Sequence, residues 1–135
     1  MKRALAAVTA GLFLLPVTLA MAGEKPLLGA WRVDMLDGAA PGKGATATLR
    51  FDADGRVSGK AFCNRYGARY QTDGASISFS AAMSTRMMCA PAMMAQEQRF
   101  LSLFNGYAQW RVENDTLTLT TDNGLIVRAK RSDGA

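Results

Sequence analysis

Apolar and polar residues alternate with a period of two along most of the chain. Trp31, Val33 and Met35, for example, alternate with polar neighbours, as side chains do on a strand with one buried face. Short segments rich in Gly, Asp and Asn, such as residues 52–55, separate these stretches and predict turns. The pattern predicts about eight short strands, at residues 31–35, 47–51, 56–62, 68–71, 76–79, 107–112, 116–120 and 125–130.

One segment, residues 91–105, departs from this alternation. Its larger side chains recur three and four positions apart, which is typical of an amphipathic helix. Pro91 suits the first turn of such a helix, and Gly106 suits its C-terminal stop. The positions that define the inner face of the predicted helix are Met94, Glu97, Phe100, Leu101 and Phe104.

These elements predict a mainly β protein of the α+β class. Antiparallel strands and a single helix between strands 5 and 6 favour a curled sheet or a partly open barrel that the helix closes. The large side chains expected to point inward are Trp31, Leu49, Phe51, Phe79, Leu117 and Val127.

The first 22 residues have the pattern of a secretory signal peptide. Lys2 and Arg3 precede an uncharged apolar stretch at residues 4–15, and small residues near Ala22 form a cleavage site. The stretch is shorter than the roughly 20 residues of a membrane span, so we expect cleavage, with an uncleaved anchor as the alternative. The expected product is soluble, periplasmic or secreted, and has no membrane anchor.

Charge and length narrow the classes of function. Loss of Lys2 and Arg3 with the signal peptide lowers the net charge from +5 to +3, which serves solubility and does not indicate nucleic-acid binding. The remaining length suits a single domain. We expect a monomer.

The two cysteines of the chain are Cys63 and Cys89. In an oxidising compartment a single pair of cysteines predicts one disulfide. Two buried free thiols are the alternative.

Candidate chemistry is sparse. The chain has no histidine, which removes the commonest general base and metal ligand, so we expect no catalytic residues, no metal and no cofactor. A copper(I) site is one interpretation of the methionines near Cys89, and adaptable core filling is the other. Asp52 and Asp54 fit a hairpin turn better than a calcium loop. The methionines concerned are Met83, Met87, Met88, Met93 and Met94.

Several motifs, taken together, resemble the META domain, an HslJ-like family of bacterial heat-shock and envelope proteins. The paired signatures are Cys63-Asn64 and the Thr-Arg-Met-Met-Cys sequence that ends at Cys89, and the resemblance covers residues 27–131. It implies an antiparallel β fold with one helix and a link to envelope stress, and it supplies no catalytic residues. The positions that match the family pattern are Gly29, Trp31, Gly59, Cys63, Asn64, Thr85, Met88, Cys89, Glu97 and Phe100.

Phe62 departs from the resemblance, because the family usually has Gly before Cys-Asn. Two interpretations are open: the backbone here needs no positive φ, or the ring fills a gap in the packing. Asn64, in turn, is expected to hydrogen-bond to local backbone.

Residues 65–70 alternate basic and aromatic side chains. They are interpreted as the rim of two strands or as an interaction patch, because Arg and Tyr are favoured at interfaces. The leading hypothesis for the chain is a non-catalytic, exported domain that binds an unidentified envelope protein. The alternative is a carrier of a small apolar ligand or lipid in a cleft between helix and sheet. The patch consists of Arg65, Tyr66, Arg69 and Tyr70.

Overall fold

The computed structural model describes residues 26–132 together with Gly11, so the predicted signal peptide lies outside the described residues apart from that position. Residues 26–132 form eight antiparallel strands and one α-helix, followed by a 3₁₀ turn. The strands are β1 (Gly29–Leu36), β2 (Thr48–Phe51), β3 (Arg56–Ala61), β4 (Asn64–Asp73), β5 (Ser76–Ser84), β6 (Tyr107–Glu113), β7 (Thr116–Thr121) and β8 (Ile126–Ser132). The helix is α1 (Pro91–Leu101), and the 3₁₀ turn is Ser102–Asn105.

The strands follow one another around a closed barrel, in which each pairs with its neighbours in sequence. The barrel closes where β8 pairs with β1, with Trp31 opposite Arg131 and Val33 opposite Ala129. All six large side chains predicted to point inward are buried. The mainly β class, the strand count and the place of the helix between β5 and β6 are therefore confirmed.

Helix α1 closes one end of the barrel with aromatic rings. Phe100 packs edge-to-face against Phe62 and Tyr66, with ring centroids 5.9 and 5.6 Å apart. Phe104, in the 3₁₀ turn, contacts Tyr66 and Phe79 at 4.6 and 5.0 Å. Such pairs add to the stabilisation from burying the rings. The helix is thus part of the core.

A polar contact holds the outer side of the same helix. Arg99 Nε donates to Asp37 Oδ2 at 2.6 Å, and the other oxygen of Asp37 accepts the N–H of Ile126 at 3.0 Å. The hydrogen bond from Arg99 holds the pKa of the Asp37 carboxyl below its ordinary value. These contacts join α1 to the end of β1 and to β8.

The structure corrects the bounds of two strands. The alternation predicted strands at 68–71 and 76–79, whereas β4 starts at Asn64 and β5 continues to Ser84. Arg65 and Arg69 point outward, and Tyr66 and Tyr70 point inward, so the basic–aromatic alternation is itself the period of a strand. The helix also ends earlier than predicted, because its last turn is 3₁₀.

Gly59 occupies a position that has no room for a side chain. A Cβ there would lie 2.3 Å from the carbonyl oxygen of Thr48, well inside contact distance. That oxygen also accepts the Tyr66 hydroxyl at 2.7 Å, so it cannot move away freely. Close approach of β2 and β3 therefore requires glycine at this point.

We predict that Gly59→Ala lowers the free energy of unfolding by about 1–3 kcal/mol, because the added methyl group displaces the Thr48 carbonyl. Urea denaturation of the purified protein measures this. Gly67→Ala on the facing strand is the matched control, since its nearest neighbour would be 4.0 Å away. Equal effects of the two substitutions would contradict the explanation.

Candidate functional site

A buried pair, Asn64 and Glu97, joins the two signature motifs. Each side chain is 2% exposed. The backbone N–H of Asn64 donates to Glu97 Oε1 at 2.7 Å, and Asn64 Nδ2 donates to Glu97 Oε2 at 2.7 Å. Both carboxylate oxygens of Glu97, in α1, therefore accept hydrogen bonds from Asn64 at the start of β4. Asn64 therefore hydrogen-bonds to a distant side chain, a partner that sequence reasoning missed.

The amide oxygen of Asn64 extends this network to the segment after β5. It accepts the Thr85 hydroxyl at 2.9 Å and the N–H of Met87 at 2.6 Å. Thr85 Oγ1 in turn accepts the N–H of Arg65 at 3.1 Å. Within the described residues, every buried side-chain nitrogen and oxygen has a partner. The network is thus a structural clamp whose buried polar groups all have partners within the described residues.

The disulfide lies beside this network. Cys63 and Cys89 are bonded with sulfur atoms 2.05 Å apart, as predicted, and no cysteine of the described chain is free. The bond links the β3–β4 turn to the segment that precedes α1. Because disulfide sulfur is not a thiolate nucleophile, the pair supplies no cysteine chemistry while it is oxidised.

Phe62 has a positive φ of 66°, so the interpretation that the backbone needs none is wrong. It is the first of two residues that connect β3 to β4, a position where tight hairpins favour glycine. The ring is buried and packs against Phe100, which agrees with the other interpretation, that it fills space at the barrel end. Burial of the ring offsets the strain of the backbone.

The other motif positions have mostly structural surroundings. Trp31 and Phe100 are fully buried, and Trp31 Nε1 donates to the carbonyl of Leu27 at 2.8 Å. Gly29 has a φ of 112°, which favours glycine. Met88 differs from the rest, because it is 87% exposed.

The methionines near Cys89 are not core fillers as a group. Met83 is 77% exposed and Met87 is 54% exposed, so the core-filling interpretation is wrong for these two and for Met88. Met93 alone of the five packs partly against the core cluster. Residues 26–132 contain no group of three or more His, Cys, Asp or Glu side chains that could hold a metal ion.

The predicted interaction patch divides between two faces of β4. Tyr66 and Tyr70 are buried, and their hydroxyls donate to the carbonyls of Thr48 and Asp52 at 2.7 and 2.6 Å. Burial raises the pKa of the Tyr66 hydroxyl well above its ordinary value. The four-residue surface patch is therefore wrong, because alternate side chains of a strand point to opposite faces.

The two arginines of that patch belong instead to a basic face that spans β3 and β4. Arg69 lies directly opposite Arg56, and Arg65 lies directly opposite Lys60. All four side chains are exposed, and no ion pair within residues 26–132 includes any of them. Like charges directly opposite one another destabilise a sheet, so this arrangement costs free energy in the isolated domain. We call Arg56, Lys60, Arg65 and Arg69 the basic face.

Sequence reasoning missed Arg56 and Lys60. The signal was available, since both alternate with inward-facing Val57 and Ala61 on the third predicted strand. Only the register of β3 against β4, however, places like charges opposite each other.

The expected carrier cleft between helix and sheet is occupied by the protein itself. Phe62, Phe100 and Phe104 fill the space where α1 meets the barrel, and all three are buried. A cleft of about 300 Å³ does lie between α1 and the end of β1 with the loop after it, and its lining includes Pro41, Gln96 and Arg99. It is open to solvent, and it reaches the aromatic core only at the edge of Phe62. No helix of the described chain has the length and apolarity to cross a membrane.

The architecture of residues 26–132 defines the class of protein: a small closed barrel with one α-helix, which a buried Asn–Glu pair joins to the sheet, and a disulfide that ties the segment before this helix to the β3–β4 turn. A family model described as the META domain matches residues 25–133. The chain therefore belongs to the META domain family, and the resemblance seen in its motifs is confirmed.

Solved structures agree with this fold. A protein from Burkholderia xenovorans, studied by NMR, is 25% identical with a TM-score of 0.64, over 82% of this chain and 87% of that one. A DUF4847 family protein from Bacteroides vulgatus is 12% identical with a TM-score of 0.55, over 79% of this chain and 94% of that one, and it supports the fold alone. Comparison with curated proteins gives no match.

We predict that Glu97→Gln lowers the free energy of unfolding by about 1–3 kcal/mol. The new NH₂ group would face an N–H donor of Asn64 and leave buried donors without an acceptor. Urea denaturation measures the change. Gln98→Ala, at an exposed position of the same helix, is the control and should have an effect within about 0.5 kcal/mol. A neutral Glu97→Gln variant would refute the clamp.

We predict that replacing both Cys63 and Cys89 by Ala lowers the free energy of unfolding by about 3 kcal/mol, because the open chain gains entropy when unfolded. Thermal denaturation with and without reductant tests this. Reductant should lower the melting temperature of the native protein and leave that of the double variant unchanged. A native protein that is insensitive to complete reduction would contradict the prediction.

Proposed function

We propose that this META domain is an exported, non-catalytic protein that binds another protein of the cell envelope. The basic face is the observation that carries the proposal. Two pairs of like charges face each other across β3 and β4, with no acidic partner in the described chain. An acidic surface docked on this face would relieve the repulsion, so the cost in the free domain becomes a gain on binding.

The composition of this surface suits a protein partner. Arginine and methionine are enriched in protein interfaces, whereas lysine is depleted. The basic face contains three arginines and one lysine. Gly67 lies between Arg65 and Arg69 on β4, and the exposed Met83 lies directly opposite Gly67 on β5. A surface that binds by charge alone gains nothing from the exposed thioether of Met83, so this side chain favours a protein partner.

Export and the envelope location rest on other support. The signal-like pattern of residues 1–22 predicts secretion, and the Cys63–Cys89 disulfide suits an oxidising compartment. The META family adds the expectation of a role under envelope stress. The partner is accordingly sought among exported proteins.

The test is crosslinking in cells followed by recovery of the protein and its partners. We expect one reproducible crosslinked envelope protein with the native chain, and its loss in the double variant Arg65→Gln/Arg69→Gln. Lys43→Gln/Arg111→Gln is the matched control, because it removes the same charge from exposed positions outside the face. It should keep the partner.

A stability measurement separates loss of binding from loss of folding. Removing like-charge repulsion should leave the Arg65→Gln/Arg69→Gln variant as stable as the native protein, or more stable by about 0.2–1 kcal/mol. Absence of any reproducible envelope partner, or an equal yield from the double variant, would overturn the proposal.

A further inference from the structure

The outer surface of the barrel has a depression beside the basic face. It measures about 240 Å³, and its lining includes Thr48, Ser58, Lys60 and Arg65. Most of its lining comes from β1, β2 and β3, and Arg65 is its one residue from β4. The lining combines short side chains, such as Ser58, with the long cationic side chains of Lys60 and Arg65.

Charge and hydrogen-bonding groups make this depression suitable for an anionic group. Arg50, a third cation in the lining, is paired with Asp52 at 3.2 Å. The other two cations of the lining, Lys60 and Arg65, have no acidic partner within residues 26–132. Ser58 also lines the depression, and its hydroxyl is a hydrogen-bond donor. A carboxylate here would contact two cations at once, and it would sit deeper than on a flat surface.

The second pair of like charges lies further along the same two strands. Arg56 is four residues from Lys60 on β3, and Arg65 is four residues from Arg69 on β4. Four residues of a strand span about 13 Å, so a single small anion cannot neutralise both pairs in their extended positions. On β3 and β4 only Ser58 and Gly67, opposite each other, lie between the pairs, and the exposed Met83 of β5 flanks Gly67.

We propose that the partner presents an extended acidic segment that runs along β3 and β4. One of its carboxylates enters the depression between Lys60 and Arg65, and a second, four residues away, lies between Arg56 and Arg69. The backbone of the segment passes over Ser58 and Gly67, whose own side chains are short, and the exposed Met83 beside Gly67 can contact it. A second copy of this chain in a symmetric contact is a poor occupant, since it would bring two basic faces together. This inference rests on the proposed function and specifies the chemistry of the partner.

Two peptides of identical composition test the spacing. The spaced peptide is acetyl-Glu-Ser-Thr-Ser-Glu-amide, and the adjacent peptide is acetyl-Ser-Glu-Glu-Ser-Thr-amide. NMR titration of the exported protein at low salt measures both affinities. We expect the spaced peptide to bind about fivefold more tightly, the ratio expected when one further carboxylate reaches exposed cations. The amide signals that shift should be those of Thr48, Ser58 and Gly67.

A variant that changes the shape of the depression but not its charge tests whether the peptide preference depends on the depression itself. Ser58→Leu places a larger side chain in the lining of the depression and leaves all four cations, so it should abolish the preference for the spaced peptide. Thr120→Leu, on an exposed position of β7, is the control and should preserve the preference. Equal affinities for the two peptides with the native protein would overturn the inference. So would inorganic phosphate that binds as tightly as the spaced peptide, because that result would assign an isolated anion site.

Failure of this inference is distinguishable from failure of the proposed function. If Ser58→Leu retains the preference for the spaced peptide while Arg65→Gln/Arg69→Gln loses the envelope partner in cells, the basic face binds a protein by charge alone. If the double variant keeps its partner, the proposed function itself is wrong.

Discussion

The hydrogen bonds between Asn64 and Glu97 hold together the parts of this domain that are far apart in sequence. They bind the start of β4 to the middle of α1, and the amide oxygen of Asn64 also binds the segment at residues 85–87. A buried carboxyl group is costly unless it is fully hydrogen-bonded, so the helix, the turn and this segment must adopt one mutual arrangement. The disulfide between Cys63 and Cys89 constrains the same region covalently. The aromatic closure of the barrel end depends on this arrangement, because Phe100 lies one turn beyond Glu97.

The hairpin of β3 and β4, whose second strand begins at Asn64, also carries the proposed binding surface. On its inner face, Tyr66 and Tyr70 fill the core and bind backbone carbonyls of β2 and the turn after it, while Arg65 and Arg69 are held outward. A surface built on paired strands keeps its charges at fixed spacing, which favours recognition of a matching acidic segment. The repulsion within the basic face is tolerated because the buried side of the hairpin is well packed. The core packing and the proposed binding surface thus occupy opposite faces of one pair of strands.

Much of the fold could be predicted because its signals are local. Alternation along the strands and the three- and four-residue spacing around Phe100 predicted the strands, the helix and six core side chains, although closure of the barrel was left open between a curled sheet and a partly open barrel. Two assignments failed for physical reasons. The methionines at 83, 87 and 88 have an apolar composition, but they lie on the end of β5 and in the segment after it, where no other element covers them. Arg and Tyr at 65–70 suggested a surface, although their alternation meant that half of them face the core.

The sequence by itself determined the number and order of the elements, six inward-facing core residues, the single cysteine pair and the family, because each follows from residue types at short or conspicuous spacing. Tertiary structure alone decided what those residues do. Glu97 became the partner of Asn64 because α1 packs across the β3–β4 turn, and Phe62 had to accept a positive φ because that turn has only two residues. Lys60 and Arg56 became half of a basic face through the register of β3 against β4. Register and packing bring together residues that are distant in the chain, and no local pattern encodes which charges will meet.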